Sequence, residues 1–393
     1  MSAAANSLIS ASDYNAIRST IANVLGTGSG SFGYGQTVQS ASKSANELVD
    51  QTDWDNLRYD IVNTRIHQTG SAFSAVTTAT NSADRTKLFF STASAGFLIK
   101  GMAVFGTGIT ATKFITAISD AGGTRTVTLN AATESTIGSG ATVLFGPGPP
   151  ADFDEGTLVS ATTINSYETL SALTDDEAER FKIAAGQFST TSITDITRTW
   201  SVSTTPQFWS NSMSCEMTID FANANDARYF FNSGGEIRIT SSRTGGRSDA
   251  QNNDWSSLLT TAGTFSFGAY LPDANFVGTN GKNFYKLTNA YQEVYRLTSS
   301  VPYAANYYSI DAKSNVANNS TGTATQIVFR INFIAGYVDP GDTTLDSPRT
   351  NDEIDGTFAV SFTEKKASGT ILPTGNFTVT GPSQYLPGVL LGS

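Results

Sequence analysis

Apolar residues recur at helical spacing mainly near the start of the chain. Tyr14, Ile17, Ile21 and Val24 share one helix face, and Trp54, Leu57 and Ile61 share another. The two segments are copies. Ser12-Asp13-Tyr14-Asn15-Ala16-Ile17-Arg18-Ser19-Thr20-Ile21 returns as Thr52-Asp53-Trp54-Asp55-Asn56-Leu57-Arg58-Tyr59-Asp60-Ile61. Ser12 and Thr52 are suited to N-caps, and Asp13 and Asp53 to the positive end of the helix dipole. The pattern predicts helices over Ser12–Leu25 and Thr52–Ile66. Two short amphipathic helices must cover their apolar faces against each other, a second subunit or a larger assembly. Tyr14, Ile17, Ile21, Trp54, Leu57 and Ile61 are therefore the candidate assembly interface. A fainter echo follows at Ile164-Asn165-Ser166-Tyr167-Glu168.

The period then changes to two. Lys87–Phe90, Ala103–Phe105, Phe114–Ile118, Thr126–Leu129 and Ala141–Phe145 are short β runs separated by turn residues such as Ala121-Gly122-Gly123. They define a small all-β module over residues 71–147, after a helical docking region at 1–70. Gly146-Pro147-Gly148-Pro149-Pro150 opens a linker with short helices at 148–194, in which Asp175-Asp176-Glu177 reads as a helix start. From about 195 to 393 strand follows strand. Ile327, Phe329, Ile331 and Phe333 share one face, as do Phe358, Val360 and Phe362, and Asn280-Gly281 signals a hairpin. The expected class is mainly β: a short N-terminal helical repeat, a small all-β module and a C-terminal antiparallel β-sandwich. No heptads encode a coiled-coil shaft.

Composition narrows the function. Lys plus Arg is 24 against 34 for Asp plus Glu, a net charge of −10. The densest basic stretch, Arg238 to Arg247, holds three Arg, so nucleic acid is not an expected partner. No apolar run is long enough to cross a bilayer, so membrane insertion is not expected either. Met1 to Ser10 lacks the basic and apolar regions of a secretory leader, which predicts a protein made in the cytoplasm.

The chemistry-bearing residues are few. His67 is the single histidine and Cys215 the single cysteine, too few for an ordinary zinc site. His67 reads as a helix-end residue and Cys215 as an inert thiol entering a strand. Gly28-Ser29-Gly30-Ser31-Phe32-Gly33 follows a helix rather than a strand, and Gly106-Thr107-Gly108 precedes β-branched residues rather than a helix. Neither is a nucleotide fingerprint; both read as turns. Acidic residues at Asp175–Glu177 and Asp352–Asp355 raise paired-carboxylate glycoside hydrolysis, but helix-start and turn roles explain them better. Calcium at Asp339–Asp342 or Asp352–Asp355 has no twelve-residue loop pattern behind it. Tyr303, Tyr307 and Tyr308 could stack on sugar rings, although aromatics in β-rich chains more often pack in cores and interfaces. No catalytic, cofactor or metal residue is expected, and the chain reads as a non-enzyme.

Several stretches carry a likeness. Ala227-Arg228-Tyr229-Phe230-Phe231-Asn232-Ser233-Gly234-Gly235-Glu236-Ile237-Arg238-Ile239, then Ser242-Arg243-Thr244-Gly245-Gly246 and Asn253-Asp254-Trp255-Ser256-Ser257-Leu258-Leu259, resembles a virion structural protein of T4-like cyanophages and related marine myophages. Ser10–Asn15, Gly33–Gln36 and His67–Gly70 resemble the same group, and Gly101–Ile109 is similar to a small β module of phage tail fibres. The resemblance implies assembly into the neck, tail, baseplate or fibre apparatus; the expected role is a tail- or neck-associated fibre or adaptor, docked through the N-terminal helical repeat because its apolar faces have no other evident partner. Its implied partners are other virion proteins and copies of itself, as a trimer or as a hexameric or dodecameric ring. A host-surface glycan receptor module and a capsid decoration protein are the alternatives. No catalytic residues transfer with the likeness.

Overall fold

Reciprocal side-chain caps set the two N-terminal helices. In α1 (Ala11–Leu25) the Ser10 hydroxyl accepts from the Asp13 N–H, while the Asp13 carboxylate accepts from the Ser10 N–H at 2.8 Å. In α2 (Gln51–Thr69) Asp50 and Asp53 exchange the same pair at 3.0 and 2.9 Å. The caps are therefore Ser10 and Asp50, two residues before the expected Ser12 and Thr52. The side chain three residues on must reach back to the cap, and only the earlier positions place Asp13 and Asp53 there.

The computed structural model describes residues 10–70, 73–146, 161–175, 181, 188–189, 197–203, 208–269, 282–337, 354–367, 377–385 and 389–391. The chain forms two compact units. The first comprises Met1–Ser189 with Asn232–Gly234 and Ala367–Thr374; the second is the remainder.

In the first unit α1, α2 and α3 (Ala161–Asp175) share one core. Trp54 stands edge-on between Tyr14 and Tyr167, with ring centroids at 5.3 and 5.2 Å. Asp175 closes α3, where the acidic triplet was expected to open a helix; Asp176 and Glu177 lie outside the described residues. The α1–α2 connection is pinned. Asp60 of α2 is fully buried and accepts from Gln39 N, Ser40 N and Ser40 Oγ at 2.9, 2.9 and 2.7 Å. Asn15 exchanges two bonds with the Lys43 backbone. At Gly33 (φ +98°) a Cβ would stand 2.3 Å from the Thr27 carbonyl oxygen, so this tight turn needs glycine.

Six strands follow: β1 (Phe73–Ala79), β2 (Lys87–Ser91), β3 (Ala103–Gly106), β4 (Ile109–Ala121), β5 (Thr124–Leu129) and β6 (Thr142–Phe145). They close into an antiparallel barrel in the order β1-β2-β5-β4-β3-β6, with β6 returning to β1. The long β4 pairs with β3 along its first part and with β5 along its second. Leu88, Phe90, Val104, Ile115, Val127, Val143 and Phe145 fill the interior. Each buried Phe there contributes about 1.5–3 kcal/mol. Val62 and Ile66 of α2 pack on Ala103 and Phe114, which joins helices and barrel. A two-residue strand, β7 (Phe188–Ser189), comes later.

The second unit carries β8 (Thr197–Ser203), β9 (Phe208–Phe221), α4 (Ala224–Asn232), β10 (Glu236–Thr244), α5 (Ala250–Ala262), β11 (Thr264–Phe267), β12 (Gln292–Thr298), β13 (Tyr307–Ser314), β14 (Gln326–Ala335), β15 (Thr357–Ala367), β16 (Phe377–Tyr385) and β17 (Val389–Leu391). In one sheet β11 pairs with β10, β10 with β15 and β15 with β8. The other has six strands in the order β12-β13-β14-β9-β16, with β17 also on β9. Each of these pairings is antiparallel, and the inward faces meet. Phe358 of β15 packs edge-on against Trp209 of β9 and Phe333 of β14, and Phe267 of β11 against Phe329. This is the β-sandwich the alternation predicts, and the fold is mainly β. Two helices interrupt what reads as continuous strand. Asp249 caps α5 through the Asn252 N–H, and Trp255, Leu258 and Leu259 then bury at helical spacing.

Candidate functional site

The outward face of the six-stranded sheet carries an ordered row of polar side chains. Register places Glu216 of β9 opposite Arg330 of β14, Arg330 opposite Asp311 of β13, and Asp311 opposite Glu293 of β12. Inward positions on the same strands are apolar, so period two sends these four outward. Arg330 donates from Nε and Nη2 to Glu216 Oε1, both at 2.6 Å. Tyr291, just before β12, donates its hydroxyl proton to the same oxygen at 2.6 Å. The Arg330 guanidinium lies 3.8 Å from the Tyr291 ring centroid and Lys313 Nζ lies 4.3 Å from it, both cation–π contacts.

A second group adjoins it. Arg296 donates to Glu293 at 2.7 Å and stacks 4.0 Å from the Tyr307 ring. Asn332 donates to Asp311 at 2.9 Å and to Ser309 at 3.3 Å. Burial raises the Asp311 carboxyl above its ordinary value against the Asn332 bond, and the Glu293 charge adds to the rise. Burial also raises the Tyr291 hydroxyl, with its bond to Glu216 as the next cause. The Glu293 bond raises Arg296. The result is a face whose charges are held by one another.

The residues singled out from sequence lie elsewhere. Tyr14, Ile17, Ile21, Trp54, Leu57 and Ile61 are at most 3% exposed, packed among themselves and against Ile164 and Tyr167. Their expected role as an assembly interface is corrected: α3 covers the faces that α1 and α2 leave, so the six are core. His67 is buried, and its Nε2 lies 2.8 Å from the Ser233 carbonyl oxygen, so that nitrogen carries the proton. Cys215 is buried mid-strand opposite Ile331, and burial pushes its thiol upward. Asp355 is buried within a clamp: Arg243 donates to its carbonyl oxygen at 2.7 Å and the Arg247 N–H to its carboxylate at 2.7 Å.

The tyrosines divide. Tyr308 points inward and bonds Ser241 Oγ at 2.8 Å, so it is no sugar platform. Tyr307 stands on the outward face, and Tyr303 packs edge-on against Tyr337 at 4.8 Å. Asn280, Gly281, Asp339, Asp342, Asp352 and Glu353 lie outside the described residues. Among the described residues no three His, Cys, Asp or Glu side chains gather as a metal site, and no helix is long and apolar enough to cross a membrane.

Tyr291, Glu216, Asp311, Glu293 and Arg296 were not singled out from sequence, because outward polar positions on a strand look like ordinary solvated surface. The available signals were Glu216 alternating with the apolar positions of β9, and Arg330 and Asn332 with those of β14. No protein-family model matches the sequence, and no curated protein or solved structure matches it.

Proposed function

We propose that this chain is a non-enzymatic structural component of a tailed-phage virion, a tail- or neck-associated fibre or adaptor. The observation that carries the reading is where the reactive groups sit. His67, Cys215 and Asp355 are each buried in the fold, while the outward sheet face holds fixed, mutually paired charges. A face ordered in advance suits a permanent neighbour, because little side-chain entropy remains to be lost on contact. The sequence likeness around Tyr229–Arg247 supplies the phage context. In this reading docking passes from the N-terminal helices to the Glu216–Arg330–Asp311 face. Antibody against the full chain, applied to purified phage particles, is expected to label the tail or neck. Particles that contain none of the chain would overturn the reading.

A second reading, a host-glycan contact, is favoured by Tyr291 and Tyr307 standing on that outward face. Saturable binding of the full chain to a glycan array, abolished by Tyr307→Ala, supports it; a blank array rejects it.

A further inference from the structure

The inward stripe of α5 mixes polar side chains among its apolar ones. Gln251, Asp254, Trp255 and Leu258 follow the i, i+3, i+4, i+7 spacing that gathers side chains on one face. Gln251 and Trp255 are 1% and 0% exposed. Neither the nitrogen nor the oxygen of the Gln251 amide has a hydrogen-bond partner among the protein's own groups. The same holds for Trp255 Nε1, Asp254 Oδ2 and Trp209 Nε1, and the Trp209 ring lies 5.5 Å from that of Trp255. Three of these five atoms are donors and two are acceptors.

Native interiors do not leave such a group of polar atoms unmatched. Buried water is the usual remedy, and each such molecule makes about three hydrogen bonds. We propose that ordered water is a permanent ligand of the second unit, held beside α5. It accepts from the indole N–H groups of Trp209 and Trp255 and the Gln251 amide N–H, and donates to Gln251 Oε1 and Asp254 Oδ2. About two molecules match three donors and two acceptors. Asp254 Oδ1 is already engaged by Ser299 Oγ, so its second oxygen faces the water alone.

Water-selective magnetisation transfer on the full-length chain, labelled with 15N-tryptophan, tests this. The Trp209 and Trp255 indole protons, assigned by single Trp→Phe variants, are expected to show cross-peaks to long-lived water. Absence of the cross-peak at both indoles overturns the proposal. A second measurement reads the sign of a stability change. Gln251→Met breaks the water's bonds and is expected to lower Tm by about 2–4 °C. If the amide is dry, the same swap removes an unmatched polar group and raises Tm, which also overturns the proposal.

Discussion

Arg330 and Glu216 face each other across the β9–β14 ladder, and two guanidinium nitrogens of the one reach a single carboxylate oxygen of the other at 2.6 Å. That oxygen also takes the Tyr291 hydroxyl proton. Two side chains distant in sequence are thus held by one atom of a third. Removing Arg330 leaves Glu216 with a weaker partner and uncovers the Tyr291 ring.

Arg330→Ala is therefore expected to cost about 1 kcal/mol, small because both partners are partly exposed and solvent screens them. Arg330→Lys should not restore the loss, since an ammonium lacks the planar fork that bonds and stacks together. Denaturant unfolding of the two variants checks this. If the face docks a virion neighbour, both variants should also be depleted from particles while staying folded. Wild-type incorporation of Arg330→Ala would rule the face out as the docking surface.

Asp60 organises the link between α1 and α2. Its carboxylate satisfies two backbone N–H groups and one hydroxyl, from Gln39 and Ser40. Asp60→Ala leaves all three without that acceptor and opens a hole beside a buried helix, at an expected cost of about 2–4 kcal/mol. Ser40→Ala removes one donor only and should cost about 1 kcal/mol. Chemical denaturation orders the two. Equal losses would show that the backbone bonds to Asp60 contribute little.

Much of this architecture was legible in local pattern. Alternation at Ile327–Phe333 and Phe358–Phe362 sets both the strand and its buried face, because a one-residue slip would turn every Phe to solvent. The duplicated helices were legible for the same reason. Barrel closure was not. It depends on β1 meeting β6, such as Phe73 against Phe145, and nothing near either strand encodes a partner so distant in sequence. The cover on Tyr14 and Trp54 was missed likewise, since Tyr167 reaches them from a helix beyond the barrel. The candidate face was hidden further, because Glu216, Asp311 and Arg330 gain meaning only when register sets them side by side.

Arg243 carries the clearest cost of disruption in the second unit. Its guanidinium donates to the Asp355 carbonyl, Ser256 Oγ, the Arg247 carbonyl and Asn252 Oδ1, at 2.7, 3.0, 3.0 and 2.6 Å. It ties β10, α5 and the residue before Gly356 into one corner. Arg243→Ala takes the donor from the Asp355 carbonyl and leaves its buried carboxylate to Arg247 alone, at an expected cost of about 3–5 kcal/mol. Arg243→Lys should recover little of it, having no fork to span four acceptors. Thermal melts of both variants decide the matter; a loss near that of an exposed pair would show the corner to be dispensable.

Acid should weaken the helical region through its caps. The Asp13 carboxyl is held below its ordinary value, first by the Ser10 backbone N–H, and Asp50 likewise by the Asp53 N–H. A group whose folded value is depressed contributes stability that is present above its unfolded value of 3.8 and is lost as pH falls through the folded one. Asp13→Asn with Asp50→Asn keeps capping-competent side chains and removes the titration. The double variant lacks that contribution, so it should melt below the parent near neutral pH and converge with it below about pH 4. Asp311 has the opposite sign: burial raises it, so its contribution is full below 3.8 and declines as pH rises through the folded value. Asp311→Asn should therefore gain Tm relative to the parent at neutral pH and lose that advantage in acid. Melting curves from pH 3 to pH 8 separate the two behaviours. Parallel profiles for parent and Asp311→Asn would mean that this carboxyl is as well solvated in the fold as in the unfolded chain.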